Sequence, residues 1–471
     1  MGIGRGRRAG RWLGTVLVLV LLALAGCGSG TGSAPGGGGD AGSSSGAEGE
    51  DGQGAKTKLT VWIMPNSPQP DRDFLTVIQP FLNRNPGLDV EVTVLDWGSA
   101  WTKITTAATS GEGPDVLQLG TTWVPALAAM GALVDIQDRV AEIGGSEAYH
   151  PASWNTTGIA GQDGVYAVPW FVDVRAAYYR TDAFAAAGVD PEEAFADWDR
   201  FHAALRKVHG VKVGGQTLAA IGFPGKNDWN VAHNIFPWVW GAGGSELTPD
   251  LRQAAFNSPA ALRGVMFYTG LAHEGLVPKE VLEKNSAEVE ALFANGRFAV
   301  TFAGPWLARS LRTPQDQGGL GGTPAAENFA VAPMPAGPAG RFTFFGGSNL
   351  AIFKGSRHPD AAWELIKFLS TPEAQIEYAS RSGMMPAVTK TWTDPKLADD
   401  PVMAAFVEAA RYGRSYPAIP AWGPMETVLV KHFGMIWDIA AGVRGTYSAE
   451  SIQAELDAAA QEVNQILQQS Q

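Results

Sequence analysis

Eight tryptophans stand where a chain turns: Trp62, Trp97, Trp123, Trp170, Trp229, Trp240, Trp306 and Trp422 fall at strand ends or beside Gly and Pro. An indole is a flat apolar platform with one N–H donor. It suits a ligand with apolar C–H faces and a rim of hydroxyls, which describes a sugar ring. Trp101, Trp198, Trp363 and Trp437 sit inside helical patterns instead, where core packing is the expected role. Large aromatics also fill interiors at strand ends, so a share of the eight is expected to be structural, Trp62 first among them.

Hydroxyl recognition needs short polar side chains or fork-shaped donors, whose burial is tolerated only when they are paired. The candidates are Asn66, Ser67, Thr121, Thr122, Asp173, Asn227, Asp228, Ser348, Asn349 and Arg381. Each has a local alternative. Asn66, Ser67 and Asn227 can simply make turns, Asp173 and Asp228 can cap backbone, and Arg381 can pair with a nearby acid.

Other chemistries find less support. No Gly-x-Ser-x-Gly occurs, so a nucleophilic serine on a strand-to-helix turn is not indicated. Gly225-Lys226 is a fragment of a phosphate loop, without the earlier Gly and with Asn227 where Ser or Thr belongs. Two facing carboxylates would suffice for a glycoside hydrolase, but with 47 acids in the chain, carboxylates that only hydrogen-bond hydroxyls are the simpler expectation. The single cysteine, Cys27, excludes an internal disulfide, and the seven His never reach the i, i+4 spacing of a metal pair, so no metal and no cofactor is expected. A net charge of −12 argues against nucleic acid as a partner.

The elements that must position these residues begin after an unusual amino terminus. Arg5, Arg7, Arg8 and Arg11 precede an apolar run from Trp12 to Gly26, too short to span a membrane and closed by Leu24-Ala25-Gly26-Cys27. Residues 1–26 read as an export signal. Twelve Gly and five Ser among residues 28–54 cannot bury enough surface to fold, so 27–57 reads as a flexible tether. From Lys58 strands and helices alternate. Leu59 to Ile63, Val90 to Val94 and Val116 to Leu119 are strands, separated by helices around Phe74 to Leu82, which Pro80 should kink or shorten, and Trp101 to Thr109. This spacing predicts an α/β fold with a parallel sheet covered on both faces, its ligands beyond the carboxyl ends of the strands. A second α/β region follows Val165 to Val168, with further strands at Ala176 to Arg180, Phe298 to Phe302 and Asn349 to Phe353. The length of 471 residues itself favours two lobes.

The chain resembles the extracellular solute-binding proteins of bacterial ABC importers, in the carbohydrate-binding, maltose-type group. The carriers are Leu59-Thr60-Val61-Trp62, Gly113-Pro114-Asp115-Val116, Gly131 to Asp135, Gly164 to Trp170, Tyr178 to Asp182, Gly243-Gly244, Phe293 to Arg297, Gly304-Pro305-Trp306, Gly346 to Asn349, and Ala361 to Leu369. Leu-Ala-Gly-Cys is similar to a lipobox, which implies cleavage before Cys27 and its lipidation, and so a protein anchored to the outer face of the cytoplasmic membrane. The resemblance implies a two-lobed, type II periplasmic-binding-protein-like fold. One lobe would comprise residues 58–171 and 349–382, the other 172–348 and 383–471, with crossovers near Phe171 to Val174 and Phe345 to Asn349. It implies a monomer that captures a carbohydrate, more an oligosaccharide than a monosaccharide, without catalysis, and delivers it to permease subunits served by a cytoplasmic ATPase. Motif position singles out Trp306 and Trp422 as cleft residues, then Asp173 and Ser348; Gly347, in a glycine pair suited to a hinge or a tight turn, is a further candidate at the site. The alternatives are a secreted carbohydrate-active enzyme, or the same scaffold holding a non-sugar solute such as a glycerol phosphoester, for which Arg381 or Arg414 would supply a cation.

Overall fold

A computed structural model describes residues 56–228 and 230–470. Cys27, the preceding export signal and Trp229 lie outside the described residues. Thirteen strands are described: β1 (Thr57–Ile63), β2 (Leu88–Val94), β3 (Val116–Gly120), β4 (Val168–Val174), β5 (Ala176–Arg180), β6 (Lys212–Val213), β7 (Gln216–Thr217), β8 (Ala219–Gly222), β9 (Phe298–Ala303), β10 (Phe329–Ala332), β11 (Thr343–Ile352), β12 (Met385–Pro386) and β13 (Gly413–Arg414). They form a first sheet in the order β12-β4-β11-β3-β1-β2, with β13 beside β11, and a second in the order β10-β5-β9-β8. Strands β6 and β7 make a small hairpin.

The first sheet is mixed, which corrects the expectation of a parallel one. Strand β1 pairs in parallel with β2 and β3, whereas β11 runs antiparallel to both β3 and β4, and β12 antiparallel to β4. The strand–helix alternation from β1 to β3 was read correctly and β4 runs in the same direction, but β11 enters this sheet from the second lobe and runs against it. Met385–Pro386, assigned by sequence to the second lobe, pairs with β4 in this sheet.

Alternation along the strands splits the first lobe into two apolar layers. Leu59, Val61 and Ile63 face a layer with Phe74, Ile78 and Phe81 of the helix Pro70–Arg84. Leu117, Leu119 and Ala351 face the other, with Ala100 and Ile104 of the helix Trp97–Ser110. The helix Pro70–Arg84 continues through Pro80, which stands on its exposed face, so it is longer than the proline suggested. The second lobe packs one large core on its sheet, including Tyr178, Phe201, Trp238, Phe293, Phe433 and Trp437.

Two adjacent strands join the lobes. Phe345 lies opposite Val174, Gly346 opposite Asp173, Gly347 opposite Val172 and Ser348 opposite Phe171, with a bulge between Ser348 and Asn349. Core membership changes along both. Val168, Trp170 and Phe171 pack in the first lobe and Val172 and Val174 in the second; on β11, Phe344 and Phe345 pack in the second and Leu350 and Ile352 in the first. Gly347 has φ +134°, and a Cβ there would approach the Phe171 carbonyl oxygen to 2.2 Å. Glycine is therefore required by both dihedral and space. Among the described residues, no helix is long and apolar enough to cross a membrane.

Candidate functional site

Where β4 leaves the first sheet, the chain places Asp173, Val174 and Arg175 at the junction of the lobes. Arg175 is buried. Its Nη2 donates to Asn230 Oδ1 at 2.9 Å, its Nη1 lies 3.7 Å from Asp173 Oδ1, and its guanidinium covers the ring of Trp306 at 4.5 Å. Trp306 opens the helix Trp306–Arg312 directly after β9, because Gly304-Pro305 turns the chain there; a Cβ on Gly304 would strike the indole. Trp306 is half-buried, packs against the cores of both lobes, and donates from Nε1 to Glu290 Oε1 at 2.8 Å.

Beyond Arg175, Phe344 stacks on His233 with ring centres 4.0 Å apart. His233 Nδ1 lies 3.0 Å from the Tyr416 hydroxyl and Nε2 3.7 Å from Glu426 Oε1. Tyr416 in turn stacks on Trp422 at 4.1 Å. Trp422 and Glu426 are one turn apart on the helix Trp422–Ala440, so they share its face.

The first lobe contributes an aromatic wall. Trp97 and Trp101 occupy i and i+4 of the helix Trp97–Ser110, and Trp123 follows β3; ring centres are 5.7 Å apart for Trp97 and Trp123 and 5.6 Å for Trp101 and Trp123. All three are half-buried. This wall meets the second lobe beside Trp422: a Cβ on Gly423 would lie 3.5 Å from the Trp101 ring. Nearby, the Ala160 backbone N–H donates to the Ala418 carbonyl across the lobes at 2.8 Å. Elsewhere along the junction, a cavity of about 380 Å³ opens between Gln69 and Asp73 on one side and Arg309 and Thr313 on the other.

The junction is electrostatically unbalanced. Burial pushes the Glu290 carboxyl up to about 7, opposed by the Trp306 indole and Arg175. Burial likewise pushes Glu426 up to about 7, opposed by the Trp422 indole. That indole favours the ionised carboxylate without reaching hydrogen-bond geometry, since Trp422 Nε1 and Glu426 Oε1 both lack a hydrogen-bond partner. Burial raises Asp173 above the ordinary carboxylate range, against the attraction of Arg175. Burial, then the Arg175 charge, hold the His233 imidazole well below its usual value, so it is neutral near pH 7. Asp173 Oδ1 and Arg175 Nη1 are further polar atoms here without a hydrogen bond.

The sequence candidates distribute unevenly over this arrangement. Trp306, Asp173, Trp97 and Trp123 face the junction. Trp422 lies at its edge but is fully buried in the second core. Trp170 and Trp240 are corrected to interior residues: Trp170 stacks on Tyr378 at 4.3 Å in the first core, and Trp240 donates to Glu246 at 2.8 Å inside the second. Trp62 packs on the first sheet, as read. Asn66 and Ser348 belong to a buried network centred on Gln118, whose Nε2 donates to Ser348 Oγ at 2.8 Å and whose Oε1 accepts from Asn66 Nδ2 at 2.9 Å. Asn349 donates to Thr156 Oγ1 at 3.0 Å. These three organise the interior, where their partners already satisfy most of their polar atoms. Ser67 donates to Asp73, and Asn227 is exposed and donates to Glu283. Asp228 accepts from the backbone N–H groups of Asn230 and Ser286, which makes it a local cap. Arg381 donates to Glu377 at 2.8 Å on its own helix, the local alternative. Thr121 is buried and Thr122 half-buried between β3 and Trp123.

Residues that sequence reasoning missed are Arg175, Glu290, His233, Phe344, Tyr416, Glu426 and Trp101. For two of them a signal existed: Trp101 stands four residues after Trp97, and Glu426 four after Trp422, which on a helix is one face. Arg175, Glu290 and His233 come from segments distant in sequence, and only their convergence marks them.

The model of the bacterial extracellular solute-binding protein family matches residues 65–376. Among relatives, the diacetylchitobiose binding protein DasA of Streptomyces coelicolor is 28% identical over 374 residues, covering 78% of this chain and 81% of its own. A maltotriose-binding protein of Pyrococcus abyssi is 22% identical over 379 residues, covering 78% of this chain and 74% of its own. Among solved structures, the sugar-binding protein MalE from Xanthomonas citri aligns with a TM-score of 0.71 at 28% identity, over 88% of this chain and 98% of that one. An ABC transporter solute-binding protein from Thermotoga lettingae, bound with alpha-D-tagatose, aligns with a TM-score of 0.75 at 24% identity, over 88% of this chain and 100% of that one.

Proposed function

Because the chain belongs to the bacterial extracellular solute-binding proteins, we propose that it captures a carbohydrate between its two lobes and presents it to an ABC permease, without chemistry on the ligand. The names of its relatives, for diacetylchitobiose and for maltotriose, support a sugar and favour an oligosaccharide. The observation that carries the reading is Trp306. Its indole touches both cores at the lobe junction, under Arg175 and bonded to Glu290, while the aromatic wall of Trp97, Trp101 and Trp123 meets the second lobe beside Trp422. Indole faces bordered by acceptors and donors without partners are what a ring with apolar faces and a hydroxyl rim requires.

A ligand that touches both lobes only when they are closed shifts the equilibrium toward closure, and a permease can then read the closed form. The lobes divide along β4 and β11, with residues 58–171 and most of 349–382 on one side and the greater part of 172–348 and 383–471 on the other. A micromolar affinity requires about 8 kcal/mol, within reach of one half-buried indole, the aromatic wall and several satisfied hydroxyls. Cys27 carries the lipid that holds the monomeric protein to the outer face of the cytoplasmic membrane, with residues 28–54 as tether. Replacing it, Cys27→Ser, is expected to release the protein into the medium. The central test is calorimetry of the purified protein against a broad panel of mono- and oligosaccharides: a heat of binding with one of them is expected, and silence across the panel refutes the reading. Appearance of new reducing ends during the same incubation would favour the hydrolase instead.

A further inference from the structure

We propose, resting on the carbohydrate reading above, that Glu290 is a positioning residue for the sugar platform: it fixes the plane of the Trp306 indole and occupies its N–H, so that Trp306 offers the sugar an apolar ring and no donor. The indole is held at three points. Its Nε1 donates to Glu290 Oε1 at 2.8 Å, the Arg175 guanidinium lies 4.5 Å from its ring centre, and its six-membered ring rests so close to Gly304 that a Cβ there would come within 1.8 Å of Cζ3. The turn that carries the indole is held as well. The buried Tyr178 hydroxyl donates to the Gly304 carbonyl at 2.8 Å and accepts from the Ala308 N–H at 3.2 Å.

Glu290 is itself placed from behind. It stands one turn after Ser286 on the helix Ser286–Ala294, so the two share a face. Asp228 accepts from the Ser286 N–H, and the Ser286 hydroxyl accepts from Asn230 Nδ2 at 3.1 Å. Asn230 Oδ1 accepts in turn from Arg175 Nη2 at 2.9 Å. The contacts therefore close on themselves: from the indole to Glu290, back one helical turn to Ser286, through Asn230 to Arg175, and onto the indole again. Asp228, a sequence candidate for hydroxyl recognition, takes an indirect part by securing the helix that carries Glu290.

The consequence for binding is preorganisation. A buried indole N–H requires an acceptor. Without Glu290 that donor would find one by turning the ring or by taking a hydroxyl of the ligand, and the platform would be ordered only as the sugar arrived. Ordering a side chain at that moment weakens affinity, whereas a ring fixed beforehand spares the loss. With its donor occupied, Trp306 discriminates sugars by the shape of their C–H face and leaves hydroxyl recognition to other groups. Trp422 is the contrast: its Nε1 has no hydrogen-bond partner and its ring is fully buried in the second core.

The test is a double-substitution cycle read by calorimetry with diacetylchitobiose, maltotriose and the rest of the saccharide panel. Glu290→Leu is expected to weaken binding of the responding sugar about fivefold to tenfold, the size of one side chain left to be ordered on binding. In a Trp306→Phe background, which keeps an aromatic ring and removes the N–H, the same substitution should change affinity by less than about twofold. Glu290→Gln, whose amide oxygen still accepts, should restore most of the affinity lost in Glu290→Leu. A loss of equal size in both backgrounds overturns the proposal, because Glu290 would then act on the ligand or on the whole fold; unchanged affinity in Glu290→Leu overturns it too. A second readout needs no ligand. In protein labelled with 5-fluorotryptophan, the 19F line that Trp306→Phe removes should shift and broaden in Glu290→Leu and keep its place in Glu290→Gln, and a line that stays unmoved in Glu290→Leu refutes the positioning role. Silence of the wild-type protein across the panel removes the carbohydrate reading, and the 19F line then decides whether Glu290 fixes the indole. Glu290→Ala replaces Glu290→Leu in both measurements if a denaturant titration shows the latter unfolded.

Discussion

Glu426→Gln isolates the energetic consequence of burying a carboxylate without a counter-charge. In the folded, ligand-free protein Glu426 titrates near 7, while the unfolded chain returns it to the ordinary value of 4.5. The raised value means that the protonated form is favoured by folding. Its contribution is fully present below about pH 4.5 and is lost as pH rises through about 7. At about 1.4 kcal/mol per pH unit, the wild-type protein forfeits about 3 kcal/mol at this position across that interval. Glutamine has nearly the same shape and no charge to bury. The stability difference between Glu426→Gln and wild type should therefore move by about 3 kcal/mol in favour of the variant between about pH 4.5 and about pH 8. Denaturant midpoints of both proteins, measured without ligand at those two pH values, check this. Taking the difference between the two proteins removes other titrating groups, such as Asp400 and Glu274, whose partners shift them downward. A difference that stays constant within about 0.5 kcal/mol would show that Glu426 is solvated or paired in solution, and the electrostatic reading of the junction would fail.

Trp306→Ala should weaken sugar binding by about 2 kcal/mol in calorimetry, because the half-buried indole is the platform shared by both lobes. Trp422→Ala should behave differently. Its ring is fully buried against Tyr416, so a loss of about 3–5 kcal/mol in unfolding free energy is expected in a denaturant titration. Gly347→Ala forces a Cβ onto the Phe171 carbonyl oxygen at φ +134° and should lower the denaturant midpoint by more than Gly346→Ala, where the clash with the Phe344 ring can be relieved by side-chain movement. Gln118→Leu removes the centre of the buried network that holds Ser348, Asn66 and the Met64 N–H, and should destabilise by about 1–3 kcal/mol in the same measurement.

Much of the scaffold was legible because local signals and final structure agree. The alternation of Leu59, Val61 and Ile63 predicts a half-buried strand, and it becomes β1 with those three side chains inward. The helix Pro359–Leu369, with Pro at its first position and Ala362, Leu365 and Ile366 on one buried stripe, follows from signals of the same local kind, since capping and periodicity act within a few residues. The direction of β11 could not be read, since the strand it meets lies 230 residues earlier, as for Gln118 and Ser348. The tryptophans show the limit most plainly. Trp170 and Trp240 sit beside turn residues as Trp123 does, yet the first two are interior and the third is on the junction wall.

Residue types and their spacing alone determined an exported, acidic, two-lobed α/β chain and a set of indoles suited to flat apolar ligand faces, because composition and short periodicities are properties of the chain itself. Which indoles remain accessible, and that Arg175 covers Trp306 while Glu290 bonds that indole and Glu426 stands against a neutral His233, were decided only by the tertiary structure. Burial and charge balance at one point are sums over segments that meet only when the chain has folded.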